Sequence, residues 1–237
     1  MELTFTNGIA YFMTRQNIIT KWHRHHALEF VFAWDSPFDL HTDESQWRDI
    51  YGAVIYPNYP HRFIGKEGRY LFIFLEPELL QAQQITKHFS LPEKKAFSLM
   101  PLASAPKPAE VVNFSFFEKQ LAIPVSQTYE GSRDERIERT LTTIKNSLAF
   151  GPLEARVLAD QVFLSESRFL HLFKEQIGVP LRKFILWCRL QRAVKELLKG
   201  RNLTASAHAA GFSDSAHFSR TFSEMFGVTP SSILKNS

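Results

Sequence analysis

The stretch AHAAGFSDSAHFSRTFSEMFGVTPSSI, residues 207–233, decides the reading of this chain. Its parts follow the order of a helix-turn-helix: a short helix carrying Ala207, a tight turn holding Gly211, and a second helix opened by Ser213. A small residue is needed where the second helix crosses close over the first, and glycine serves a turn position at positive φ. Phe218 and Phe222 recur at helical spacing and predict the buried face of the second helix. Ser215, Ala216, Ser219 and Arg220 are left on the opposite face.

Moving upstream, the same pattern returns in LADQVFLSESRFLHLFKEQIGVP, residues 158–180. Phe173, Glu175, Gly178 and Val179 stand 49 positions before Phe222, Glu224, Gly227 and Val228, whereas Ala159 and Ser165 stand 48 before Ala207 and Ser213. One supersecondary unit therefore occurs twice, with an extra residue after the serine of the second copy. Phe163 holds the place of Gly211, so a different turn is expected there. Phe169, Leu172 and Phe173 predict the buried face of the first recognition helix, opposite Ser167, Leu170, His171 and Lys174.

Between the copies, RLQRAVKELL at 189–198 belongs to a helix predicted over Leu181 to Lys199, packed through Trp187, Cys188, Leu190, Ala193, Leu197 and Leu198. Before them, Ser132 and Glu135 have capping-box spacing ahead of Ile137, Leu141, Ile144 and Leu148, and Gly151-Pro152 restarts the chain. Further caps are expected at Ser165, Thr204, Ser213 and Thr229.

The charge follows this division: residues 1–131 carry a net −2 and residues 132–237 a net +6. A basic half suits nucleic acid. The single cysteine cannot form an internal disulfide, no run of about 18 apolar residues could span a bilayer, and the start MELTFTNGIA lacks signal-peptide character. A cytoplasmic location with no membrane partner is the expectation. Phosphate-binding glycine loops, nucleophile elbows and cysteine-rich zinc spacings are missing from the sequence, so no catalytic residues are assigned.

Residues 132–237 resemble the DNA-binding domain of the AraC/XylS family of transcription regulators, on the strength of GFSDSAHFSRTF, of 158–180 and of 189–198. The resemblance implies an all-α domain whose linker helix holds two helix-turn-helix units so that both recognition helices enter successive major grooves, about 34 Å apart. It marks Ser167, Leu170, His171, Lys174, Ser215, Ala216, Ser219 and Arg220 as groove-facing. His217 stays a candidate beside its structural reading. Arg220 is the preferred base reader, since a guanidinium can donate twice to guanine, with phosphate contact as the alternative.

The first hundred residues read as strands at Leu28 to Trp34, Phe38 to His41, Ala53 to Tyr56 and Arg69 to Leu75, then a helix over Glu78 to Phe89. His23, His25 and Glu29 in HRHHALE, with Gly52, Pro57 and His61 in GAVIYPNYPH, are similar to the two short motifs of the cupin barrel. In cupins such a set can hold one divalent metal. Here the Gly-to-Pro spacing is short, and Asn58-Tyr59 stands where a glycine is expected. The donors would suit zinc, iron, manganese or nickel, an organic effector lined by Trp22, Phe30, Phe32, Trp34 and Phe72 is the alternative, and a metal-free remnant is a third; no metal is assigned from sequence.

The expected architecture is a two-domain α+β chain. A cupin-like β-barrel or sandwich spans 1–105, a bridging segment 106–131, and an all-α domain with two helix-turn-helix units joined by a linker helix 132–237. The expected function is regulation of transcription by sequence-specific binding to double-stranded DNA, with RNA polymerase, a small-molecule effector and a homodimer partner implied by the resemblance. The alternative is a metal-dependent cupin enzyme with an accessory DNA-binding domain.

Overall fold

The computed structural model describes residues 2–6, 8–14, 17–91, 95–102, 104–123, 133–148 and 153–234. Ser132 and Gly151-Pro152 lie outside them. The chain divides into two compact units, Met1–Thr128 with Ser223–Ser237, and Tyr129–Phe222. No described helix is long and apolar enough to cross a membrane.

The first unit is built on β1 (Glu2–Thr6), β2 (Ile9–Thr14), β3 (Leu28–Ala33), β4 (Phe38–Thr42), β5 (Gln46–Ile50), β6 (Gly52–Ile55), β7 (His61–Gly65), β8 (Tyr70–Leu75) and β9 (Ala96–Ser98). One antiparallel sheet runs in the order β1-β2-β8-β3-β6-β9, a second in the order β5-β4-β7. β3 is central and wholly buried, so LEFVFA must satisfy two cores at once. Strand alternation sends Leu28, Phe30 and Phe32 to one face. There they meet Leu71, Ile73 and Leu75, together with residues of α1 (Leu80–His88), α2 (Pro108–Val112) and α3 (Ser115–Leu121). Val31 and Ala33 go to the other face, with Phe38, Leu40, Phe63 and Phe72 of the small sheet and β8. Each fully buried aliphatic or phenyl side chain contributes roughly 1.5–3 kcal/mol, and this doubly covered strand anchors the unit.

Several expectations change here. Phe30 and Phe32 face the helical layer while Phe72 faces the small sheet, Trp34 packs at the edge of the helical core, and Trp22 is half exposed, so these five aromatics line no common cavity. The stretch 106–131, expected to bridge, supplies α2 and α3, whose Val111, Phe116 and Phe117 lie in the first core.

The second unit holds α4 (Glu135–Ser147), α5 (Ala155–Gln161), α6 (Glu166–Ile177), α7 (Leu181–Leu198), α8 (Leu203–Ala209) and most of α9 (Ser215–Phe226). The last turn of α9 from Ser223, with α10 (Pro230–Leu234), is counted in the first unit. α4 is capped by Asp134, whose side chain accepts from the Arg136 N–H, and α8 by Asn202, two residues before the expected Thr204. Ile137, Leu141, Ile144, Leu158, Phe169, Phe173, Phe184 and Cys188 form one core. Leu198, expected to pack, is exposed, and Leu197 is half-buried, because α7 turns these positions past the edge of the core in its last turn.

Candidate functional site

The two helix-turn-helix units share a backbone plan and differ in the turn. The first turn spans 162–165, the second 210–214, one residue longer. Phe163 and Gly211 occupy the same place and both adopt the left-handed region, at φ 56° and 83°. The first turn thus differs in length as expected, but not in the backbone at this place: Phe163 accepts the conformation that glycine takes in the second copy, although this disfavours a side-chain-bearing residue by about 1–2 kcal/mol. Phe163 is 93% exposed. Gly211 has no such latitude, since a Cβ there would lie 2.5 Å from the Leu148 carbonyl oxygen.

In α6 the Ser165 hydroxyl accepts from the Arg168 N–H, and Phe169, Leu172 and Phe173 turn inward. Ser167, His171 and Lys174 are exposed, as is Leu170 at 37%. The extra residue of the second turn is Asp214, and it displaces Ser213 as the cap of α9: its carboxylate accepts from the His217 N–H at 2.6 Å. That bond, then the Ser213 hydroxyl, holds the Asp214 carboxyl below the usual carboxylate range. His217 is half-buried, its ring against Phe212 and its Nδ1 3.2 Å from the Ser213 hydroxyl, which favours a structural role. Ala216 and Arg220 are exposed, Ser215 and Ser219 partly so, and Phe218 and Phe222 are buried beneath them. The eight positions expected to face the groove therefore stand on outward faces. At about 1.5 Å per residue, the 18-residue α7 spans about 27 Å between the two units.

In the first unit His23, His25, Glu29 and His61 come together, all buried, with one donor atom from each lying within 4.8 Å of the others. β3 sends Glu29 to the same face as Val31. A lone antiparallel bridge pairs His23 with His61 through two 3.0 Å backbone hydrogen bonds, bringing their rings to 4.1 Å. His26, between them in sequence, points elsewhere and pairs with Glu78.

The tautomers follow from the backbone. His23, His25 and His61 each set Nδ1 at 2.9, 3.1 and 2.8 Å from the carbonyl oxygens of Lys21, Ala27 and Tyr59. A carbonyl only accepts, so each Nδ1 carries the proton, and a neutral ring presents its Nε2 lone pair to the cage. Yet the Nε2 atoms of His25 and His61 stand 2.9 and 3.0 Å from one Glu29 oxygen, itself an acceptor. The His61 Nε2 also lacks hydrogen-bond geometry to any partner. With neutral rings, imidazole lone pairs and a buried carboxylate thus face one another, an arrangement relieved by positive charge in the cage, whether a proton on an imidazole or a metal ion.

Electrostatics agree. Burial, then the neighbouring His61 and His25, lowers His23 to about 3, and burial above all lowers His25, so both are neutral at neutral pH. Burial pushes Glu29 up, but the neighbouring His61 and His25 outweigh it and hold the carboxyl below its ordinary range, as positive charge beside the carboxylate does. Three imidazole nitrogens and one carboxylate, oriented by second partners, fit a divalent transition metal. Bound there, such an ion would supply a Lewis-acid centre tying β3, β7 and the 20–25 segment together.

A helix-turn-helix domain family matches residues 158–236. Residues 158–236 thus carry a helix-turn-helix domain of the AraC type. The probable transcriptional regulator LumQ of Photobacterium leiognathi is 36% identical over 75 residues, covering 31% of this chain and 30% of LumQ. The arabinose operon regulatory protein of Escherichia coli is 29% identical over 108 residues, 45% of this chain and 37% of that protein. The match thus spans less than two fifths of either relative. Over nearly the whole length the fold is that of ToxT from Vibrio cholerae, with a TM-score of 0.62 at 11% identity, covering 97% of this chain and 98% of that one. An AraC-type domain behind an antiparallel β domain is accordingly the architecture here.

Proposed function

We propose that the chain regulates transcription by reading duplex DNA through α6 and α9. One observation carries this: two copies of one helix-turn-helix stand on a single connecting helix, and each recognition helix buries a pair of phenylalanines, Phe169 and Phe173 or Phe218 and Phe222, beneath a mainly polar outer face. Arg220 reads a guanine, Ser167, Leu170, His171, Lys174, Ser215, Ala216 and Ser219 fill the two grooves, and His217 braces the second turn. RNA polymerase and a second copy of the chain complete the reading as partners. No such feature speaks for a cupin enzyme with an accessory DNA-binding domain.

The test is selection of bound fragments from random duplex DNA by the purified chain at near-physiological salt, with footprinting of the winner. An enriched motif protected over two successive major grooves on one face is expected. Uniform, sequence-blind binding would sink the proposal, because phosphate contacts alone give affinity without choice.

For the first unit we infer a divalent transition metal as the ligand of the cage, rather than an organic effector among the five aromatics. The three Nδ1–carbonyl contacts favour it. Zinc stoichiometry on chelator-stripped protein, compared with His61→Ala, measures it.

A further inference from the structure

The first unit's C-terminal segment closes on the cage. The ring of Phe226 lies 5.8 Å from that of His25 and 5.5 Å from that of Phe74, while Phe74 stands 5.2 Å from His25 edge-on, so the three rings pack as one triangular cluster with His25 at a corner. The next residue, Gly227, accepts a 2.8 Å backbone hydrogen bond from the Lys21 N–H. The carbonyl of this same Lys21 accepts the hydrogen bond from His23 Nδ1. Gly227 is therefore one peptide unit from fixing the tautomer and direction of a cage ligand.

No other residue fits there. Gly227 has φ +68°, and a Cβ would lie 2.6 Å from the Lys21 carbonyl oxygen, 2.7 Å from Thr20 Cβ and 2.8 Å from His23 Nδ1. Two of these atoms are backbone or the cage imidazole itself, so nothing soft can give way. Gly178, at the same place in the first copy, has φ +80°, and among the described residues nothing lies within 4 Å of where its Cβ would be. Both glycines end a recognition helix, and only Gly227 is also pressed into a seat.

We propose that Phe226 and Gly227 are the lid of the histidine cage, and that a divalent transition metal in the cage and the seated last turn of α9 strengthen each other. This rests on the metal reading given above. The seated turn orders the His25 ring and the Lys21–His23 loop before the metal arrives, which spares the ion the loss of side-chain freedom in two of its four ligands. Linkage then requires that the metal tighten the seat by the factor by which the seat tightens the metal.

The test uses the full chain stripped by chelator and titrated with zinc alone against a chromophoric competitor, with hydrogen exchange of residues 223–229 read in parallel. One zinc per chain is expected. Phe226→Ala and Gly227→Ala should each bind it at least tenfold more weakly, Phe226→Leu within about threefold of wild type. Zinc should slow exchange of the 223–229 amides at least tenfold in the wild type and leave it unchanged in His61→Ala. Wild-type zinc affinity in both lid variants, or exchange at 223–229 indifferent to zinc in the wild type, overturns the lid while leaving the metal site standing. No zinc bound by the wild type overturns both. The exchange arm needs neither lid variant, so a substitution that fails to fold does not blunt the test.

Discussion

The two helix-turn-helix units solve one geometric problem with different residues. At the turn, the second uses Gly211, hemmed in by Leu148 and Arg189, and the first uses an exposed Phe163 in the same left-handed conformation. At the cap, the second inserts Asp214, while the first relies on Ser165. On the reading face, Arg220 stands where the first unit has His171, both exposed. A turn whose surroundings are open tolerates a strained side chain, and a turn whose surroundings are closed does not. Backbone repetition therefore says little about which copy is fragile or which carries more of the DNA specificity.

The largest expected effect that would break this comparison is at Gly211. Gly211→Ala should destabilise the second unit by about 2–4 kcal/mol, from the left-handed backbone together with the clash on Leu148, as read by denaturant unfolding. A loss no greater than that of an exposed glycine would mean the two turns are equally open. Next comes specificity: Arg220→Ala should lose about 1–3 kcal/mol on the selected site and little on random DNA, whereas His171→Ala should lose less on the selected site. Equal losses from Arg220→Ala on all sequences would make it a phosphate contact.

Smaller, and opposite in sign, is Phe163→Gly. It removes strain of about 1–2 kcal/mol and adds about 0.5–1 kcal/mol of unfolded-state entropy, so a net gain of about 0.5–1 kcal/mol is expected in the same unfolding measurement. Destabilisation would show that the phenyl ring contributes more than its exposure suggests. The smallest effect concerns pH. The Arg136 side chain, with its backbone N–H, holds Asp134 at about 2, below its unfolded value of about 3.9. Its contribution is present above about pH 4 and lost as pH falls towards 2, and Asp134→Asn should remove that part of the acid slope of stability.

The second unit was the more legible in sequence because its signals are local. Phenylalanines at helical spacing, Ser165 at a helix start and Ala159 matching Ala207 each state their role within a few residues. Even there Asp214 took the cap from Ser213, since a one-residue insertion shifts which carboxylate or hydroxyl reaches the first free N–H groups. In the first unit the apolar runs of β3, β4, β6 and β8 were readable. β5 was hidden because QWRDI carries no alternating apolar face, β7 because HRFIG mixes a cage histidine with glycine, and β9 because three residues leave no period. The four cage residues were nameable from motif likeness, but not that His26 leaves the group or that His23 and His61 are bridged. Phe226 and Gly227 announced only the end of a helix, since nothing near them in sequence mentions residues 20–25.

That last pairing also imposes an order on synthesis. Lys21 and Gly227 lie near opposite ends of the sequence, and their backbone bond closes a loop containing the entire second unit. A ribosome releases the strands of the first unit long before it releases the residue that finishes it. The Lys21–Gly227 bond can therefore form only after every helix of the second unit has been made. On the lid proposal, an ion acquired in that interval would enter from an open side, and the last turn of α9 would close over it afterwards.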